Sequence, residues 1–356
     1  MRRKTVTIRS VAQRAQVSVS TVSQILNGNS HYVSADKRGR VLQAAEELQY
    51  RPSAIARSMV NQRTATVGMV FTSVVDHLFI HAIRSVQTVL HPEGYTIFLA
   101  DTPDIESETQ AITALQDRQV DGFIFVSMTS VSESAHLLRL KEAGVPFVTI
   151  NRPLAQDCDF NQIHWNDWEA GYLATKHLLS LGHRSIGTIS GPLQGLPRWQ
   201  SAFDRHQGWQ QALAEEGISA SPDWSFDGNY TCQGGYEATM RLLKQAGTKT
   251  KLPTALFIAN DEMAMGTLRA LHHAGIRVPQ EVALVNVGDT RFTTHMAPAL
   301  TSLAHPVAEA GKIAAHLLLE QFAASDPLPA QNIMLSFDLR IRESCGSNPE
   351  PSGPFF

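Results

Sequence analysis

Near the N-terminus the chain sets short and amide-bearing side chains where they could read nucleic-acid base edges. Val11, Ala12 and Ala15, then Val22, Ile25 and Leu26, recur at helical spacing, so two short helices share one small core. The second helix then turns Val19, Ser20, Ser23, Gln24 and Asn27 outwards. Side chains of that size reach donors and acceptors in a major groove without steric conflict, and an amide can pair bidentately with adenine. Ser10 and Ser18 are expected as N-caps, because a serine oxygen can accept from the unpaired amides of a first turn. A helical hairpin in a solvated bundle would show the same pattern, and charge separates the two readings. Residues 1–63 carry 11 Lys and Arg against 3 Asp and Glu, net +8, while the remainder carries 19 against 30, net −11. A basic head on an acidic body is the footprint of a phosphate-binding module, since each neutralised phosphate releases counterions.

Other chemistry is sparsely supplied. The chain has no P-loop, no Gly-x-Ser-x-Gly elbow, no His-Glu-x-x-His helix and no Cys-x-x-Cys pair, so no enzyme is expected. His77 and His81 stand four apart on an expected helix but lack a third ligand, so neither a metal nor a cofactor is expected. Cys158, Cys232 and Cys345 are odd in number and scattered, which suits a reducing cytoplasm. No apolar run approaches the roughly 20 residues that span a bilayer. The start Met1-Arg2-Arg3-Lys4 leads into polar helix, so neither a membrane partner nor export is expected.

The elements that must position these residues follow from the same pattern. A third amphipathic helix is expected over Ser34 to Tyr50, then Pro52-Ser53-Ala54-Ile55-Ala56-Arg57-Ser58-Met59 as a hinge. At 356 residues the chain fits a head of 1–51, a hinge helix and linker of 52–63, a large body of 64–345 and a disordered tail of 346–356. The body alternates β-rich runs with helical stretches: Thr66 to Phe71, Thr96 to Ala100, Gly122 to Val126, Phe147 to Ile150, Ser185 to Ile189, Ala255 to Ala259 and Val282 to Val287. Enough chain separates each pair for a crossover helix, so an α/β body of two doubly wound lobes with parallel sheets is expected.

Ile8 to Asn27, Tyr32-Val33-Ser34, Leu48 to Pro52 and Ser53 to Met59 resemble the head of the LacI/GalR bacterial transcriptional regulators. The resemblance implies two heads on a near-palindromic operator, with the helix Ser18 to Asn27 in the major groove and the hinge helix in the minor groove. It carries DNA contacts onto Thr7, Ser18, Val19, Ser20, Thr21, Ser23, Gln24, Asn27, His31, Tyr32, Ser53, Ala56, Arg57 and Met59. Met59 stands where the family usually has a wedging leucine, and methionine is apolar and flexible enough to serve. Three departures stand out. Ser10 replaces a usual Asp cap, Gln24 replaces a common Arg and favours adenine over guanine, and Gln16 replaces a turn Gly. The last costs about 1 kcal/mol or more if that backbone is left-handed.

The body is similar to the effector domain of the same family, which shares the architecture of periplasmic sugar-binding proteins. Val120 to Ile124, Ala143 to Pro146, Gly171 to Gly182 and Asn260 to Gly266 match its segments in order. The resemblance implies three crossings between lobes, near residues 164, 293 and 324. Lobe 1 is then about 64–164 and 294–323, and lobe 2 about 165–293 and 324–345. It implies an effector in the cleft, contacted by Asp76, Phe79, Asp101, Arg152, Trp199, Arg205, Tyr230, Asn260 and Asp289. Arginine forks, carboxylates and a flat aromatic face suit a polyhydroxylated ligand, so a sugar or sugar derivative is expected, with a purine or other metabolite as the alternative. Where the family has an acid gripping the effector, this chain has Gly288, with Asp289 one residue on. Either Asp289 or Asn286 reaches the cleft, or the ligand makes no such contact. A homodimer follows from two-fold operator recognition. The tail holds no leucine heptad that would add a coiled coil. A solute-binding protein explains the body but not the basic head.

Overall fold

A computed structural model describes residues 6–26, 33–50, 63–71, 77–127, 135–152, 159–194 and 200–347. The chain divides into two units, Met1–Ala65 and Thr66–Phe356. All of the expected hinge and linker at 52–63 except Arg63, and the tail beyond 347, lie outside the described residues.

Among the described residues the head holds three helices, α1 (Ile8–Ala15), α2 (Val19–Leu26) and α3 (Ala35–Glu47). Val11, Ala12, Ala15, Val22 and Ile25 pack against Val41, Ala44 and Ala45, and Val11, Val22 and Val41 are wholly buried. This is the core expected from the spacing. The first cap differs from expectation: Thr7 is the N-cap, and Ser10 is the third helical residue, its hydroxyl 3.4 Å from the Thr7 amide in a capping box. Ser18 does cap α2, accepting from the Thr21 amide at 3.1 Å. Both α1 and α3 end in Schellman turns. Gln16 takes the left-handed position (φ 55°) with Val17 N–H on the Ala12 carbonyl at 3.1 Å. Gln49 does the same (φ 49°), with Tyr50 N–H on Ala45 at 2.8 Å, so α3 stops at Glu47 and not at the expected Tyr50.

The body holds two six-stranded sheets. The first contains β1 (Thr66–Phe71), β2 (Thr96–Asp101), β3 (Gly122–Val126), β4 (Phe147–Ile150), β5 (Asn161–Trp165) and β11 (Asn332–Leu335), in the order β11-β5-β4-β3-β1-β2. The second contains β6 (Ile186–Ser190), β7 (Ser225–Asp227), β8 (Ala255–Ile258), β9 (Ala283–Gly288), β10 (Thr301–Ala304) and β12 (Asp338–Arg340), in the order β12-β10-β9-β8-β6-β7. Among the described residues every pairing is parallel except β10 with β12. All the runs read from sequence are strands. β5, β7, β10, β11 and β12 were not expected, because they are short and rich in Asn, Gln, Ser, Thr, Asp or Arg.

Two lobe boundaries need correction. β10 pairs with β9 in the second sheet, so the chain leaves that lobe after Ala304 and not near 293. β11 pairs with β5 in the first sheet, so the third crossing lies between Leu335 and Asp338 and not near 324. The helix between these crossings, Val307–Ala323, packs against the first sheet and the helix His77–Leu90. Gly311 permits that approach, since a Cβ there would lie 2.0 Å from the Ser85 hydroxyl.

Candidate functional site

On the head, Ser18, Val19, Ser20 and Gln24 are exposed, Thr21 and Ser23 partly so, and Thr7 is exposed at the start of α1. The outward face expected for α2 is therefore formed. Its hydroxyls are also engaged locally: Ser18 Oγ lies 2.7 Å from Ser20 Oγ and 2.8 Å from Thr21 Oγ1. Ser18 thus works first as a cap. Asn27, His31, Tyr32, Ser53, Ala56, Arg57 and Met59 lie outside the described residues.

In the body, the C-terminal ends of parallel strands are where doubly wound folds hold ligands. There, residues of all three crossings meet. Trp165 ends β5, His305 follows β10, and Phe337 lies between β11 and β12. The His305 ring sits 5.3 Å from that of Trp165 and 5.0 Å from that of Phe337. Arg205, on the helix Gln200–Glu215, is 6% exposed. Its Nε donates to Asp167 Oδ1 at 2.8 Å, its Nη2 lies 2.6 Å from the same oxygen, and its Nη1 donates to the Ala259 carbonyl at 2.6 Å. Its Nη2 also stands 3.3 Å from His305 Nε2. Burial, with the Arg205 cation beside it, holds His305 well below the ordinary histidine range, so the ring is neutral.

Tyr230 faces the same region. Its ring lies over Gly191, where a Cβ would come within 2.2 Å, and its hydroxyl is 3.5 Å from Ser201 Oγ. Burial raises its phenol above the usual range. Asn260 caps the helix Asp261–His273 through Met263 N–H at 2.9 Å and donates to the Tyr230 carbonyl at 3.1 Å. Its polar atoms hold the loop in shape.

Gly288 has φ 147°, and a Cβ there would lie 2.3–2.4 Å from the carboxyl atoms of Asp261. Asp261 accepts from the side chain of Asn286 and from the backbone of Asp289 (3.1 Å) and Thr290 (2.8 Å). Asn286 is wholly buried and also accepts from Ser302 at 3.0 Å. Asp289 is paired with Arg342 at 2.6 Å and Arg340 at 3.4 Å. Asn286 and Asp289 are thus both engaged within the chain.

Three other expected residues have different surroundings. Arg152 is 3% exposed and donates to Glu108 Oε1 at 2.7 Å, with His136 on the same oxygen. Burial pushes the Glu108 carboxyl up, but His136 and Arg152 outweigh it and hold the group below the usual range. This buried cluster joins three elements of the first lobe. Phe79 is 1% exposed, in the core beside Phe71 at 5.5 Å. Asp101 is exposed at the end of β2. Asp76 and Trp199 lie outside the described residues, and Trp168 stacks on Tyr172 at 5.0 Å. Sequence reasoning missed His305 and the roles of Asp167 and Asp261. His305 carried no signal because the strand before it was not recognised.

The head, residues 7–53, matches the model of bacterial regulatory proteins of the lacI family, and residues 175–345 match a periplasmic binding protein-like domain. The HTH-type transcriptional repressor PurR of Haemophilus influenzae (strain PittEE) is 33% identical over 344 residues, covering 96% of this chain and 99% of that protein. A lac repressor dimer bound to operator and the anti-inducer ONPF superposes with a TM-score of 0.80 at 26% identity, covering 96% and 99% of the two chains. A transcriptional regulator CelR–cellobiose complex gives 0.67 at 29% identity, covering 95% and 99%. No helix among the described residues is long and apolar enough to cross a membrane. The chain belongs to the LacI family of bacterial transcriptional regulators, a helix-turn-helix DNA-binding head joined to a periplasmic-binding-protein-like body.

Proposed function

We propose that this regulator is a repressor that binds a near-palindromic operator as a homodimer in the cytoplasm, under control of a small-molecule effector held between its lobes. One observation carries the reading. A single chain joins an exposed recognition helix to a body whose three crossings converge on the buried Arg205–Asp167–His305 cluster. A solute-binding protein would use only the second part. On the head, Val19, Ser20, Ser23 and Gln24 are the readers of base edges. In the body, Arg205 and Tyr230 are the principal effector residues. An effector touching the junction of the crossings would move one lobe against the other. A coupling of roughly 1 to 3 kcal/mol would change operator affinity about 5- to 150-fold.

Dimerisation is supported by the edge of the first sheet. Phe98 and Leu99, consecutive on β2 and so on opposite faces, are 40% and 52% exposed, with Ile80 at 48% nearby in sequence order on the preceding helix. An apolar edge strand bare on both faces calls for a covering partner. A sugar or sugar derivative is the leading effector, in keeping with the cellobiose complex of one similar regulator. A purine or other metabolite is the second reading, favoured by Gly288, which leaves the last residue of β9 without an acid for sugar hydroxyls. The test is selection of bound sites from random duplex DNA at about 0.15 M salt, where nonspecific electrostatics are suppressed. A palindromic consensus is expected. No enrichment, with or without added metabolite pools, would refute the regulator reading.

A further inference from the structure

The interlobe junction holds buried donors that no acceptor among the described residues answers. Trp165 is 4% exposed, and its Nε1 is sealed from solvent without a hydrogen-bond partner. His305, whose ring meets that of Trp165 edge-on, is in the same condition at Nδ1. The neighbouring guanidinium decides which nitrogen of His305 carries the proton. Arg205 Nη2 can only donate, so His305 Nε2 accepts and the hydrogen is on Nδ1. Both sealed atoms are therefore N–H groups. Buried donors left without acceptors are rare in folded proteins and call for a partner from outside the chain.

Three carboxylates around the junction are already committed. Asp167 is bound to Arg205, Asp261 to Asn286 and two backbone amides, and Asp289 to Arg340 and Arg342. Gly288 adds none. A ligand held by giving its hydroxyl protons to a carboxylate finds no unpaired acid among these residues. A ligand that brings a carbonyl or phosphoryl oxygen, a stronger acceptor than a hydroxyl, finds two waiting donors.

We propose that the effector presents a hydrogen-bond acceptor, a ring carbonyl or a phosphoryl oxygen, to Trp165 Nε1–H and His305 Nδ1–H. This rests on the cleft being the effector site, and it names the chemistry recognised there. Trp165 ends a strand of the first sheet and His305 follows a strand of the second. One acceptor bound to both ties the first crossing to the second, which turns occupancy into a fixed lobe position.

The test follows the indole Nε1–H resonances of the full-length protein labelled with 15N-tryptophan, that of Trp165 being identified by its loss in Trp165→Phe. The probes are inorganic phosphate, glucose 6-phosphate, xanthine and, as the neutral polyol, glucose. The Trp165 resonance is expected to move with at least one of the first three and not with glucose. Response to both phosphates identifies a phosphoryl oxygen, and response to xanthine alone a ring carbonyl. Trp165→Phe and His305→Phe, which keep an aromatic ring, should each weaken binding of that probe about tenfold. A Trp165 resonance unmoved by all three probes that carry a carbonyl or phosphoryl oxygen overturns the proposal, as does unchanged affinity in both Phe variants. The double variant Asp167→Asn/Arg205→Gln separates this failure from that of the cleft itself. A probe bound equally well by the double variant lies outside the cleft, whereas loss there with unchanged affinity in the Phe variants removes only the donor pair.

Discussion

Replacing Arg205 with Ala should cost far more than a ligand contact. The side chain is 6% exposed, and Asp167, at 9%, receives both its Nε and Nη2. Removing one member of a buried ion pair strands the other charge, at about 3–5 kcal/mol. The Ala259 carbonyl and His305 Nε2 lose their donor as well. The loss should depend on pH in a defined direction. Burial raises the Asp167 carboxyl above its ordinary value, and Arg205 opposes that rise. Without Arg205 the folded-state value climbs further above the unfolded one. Stability conferred by such a group is complete below the unfolded value and is lost as pH rises through the folded value. The variant should therefore be least stable relative to wild type at about pH 8 and recover toward about pH 5, by up to about 1.4 kcal/mol per pH unit. Urea unfolding of both proteins at the two pH values measures this. Asp167→Leu/Arg205→Met, which removes both charges, should regain most of the loss. A single-variant loss below about 1 kcal/mol, or one equal at both pH values, would refute a buried, mutually dependent pair.

Gln16→Gly should stabilise the head by about 1 kcal/mol, because Gln16 holds a left-handed backbone that costs glycine nothing, and slower hydrogen exchange of α1 and α2 amides would register it. Gly288→Ala should destabilise the second lobe by about 1–3 kcal/mol, since a Cβ meets the Asp261 carboxyl at φ 147°; a melting temperature equal to wild type would contradict the packing described. Phe98→Lys should convert a dimer to monomers in sedimentation equilibrium while leaving the fold intact by circular dichroism, and an unchanged mass would move the interface elsewhere.

The sequence showed the head's core because Val11, Ala15, Val22 and Ile25 repeat at a helical period that nothing else in the head competes with. It showed the long apolar strands for the same reason. The crossings were misplaced because β10 and β11 are four residues each, and Thr301-Ser302 and Asn332 dilute their alternation. Arg205 was found through its position before Gly208-Trp209. Gly208 is required there, since a Cβ would lie 2.1 Å from the Trp168 carbonyl. Arg152 carried an equally clear position after β4, yet its partners Glu108 and His136 lie 44 and 16 residues away and were invisible to local pattern. Residue type marked both arginines as candidates, and only the fold showed that each is held by a buried carboxylate.

The pairing of β11 with β5 while β12 pairs with β10 means that neither lobe is a contiguous piece of chain. Asn161 Oδ1 accepts from Gln331 N–H at 2.8 Å across 170 residues, so the first sheet is completed only when almost the whole body has been synthesised. A chimera that borrows one lobe from a relative to change ligand preference must therefore be cut at three points together, near 165, 305 and 336. Splicing at the first alone would leave the first sheet with strands from two parents, β11 arriving with the second lobe, and side chains at the junction that never met before.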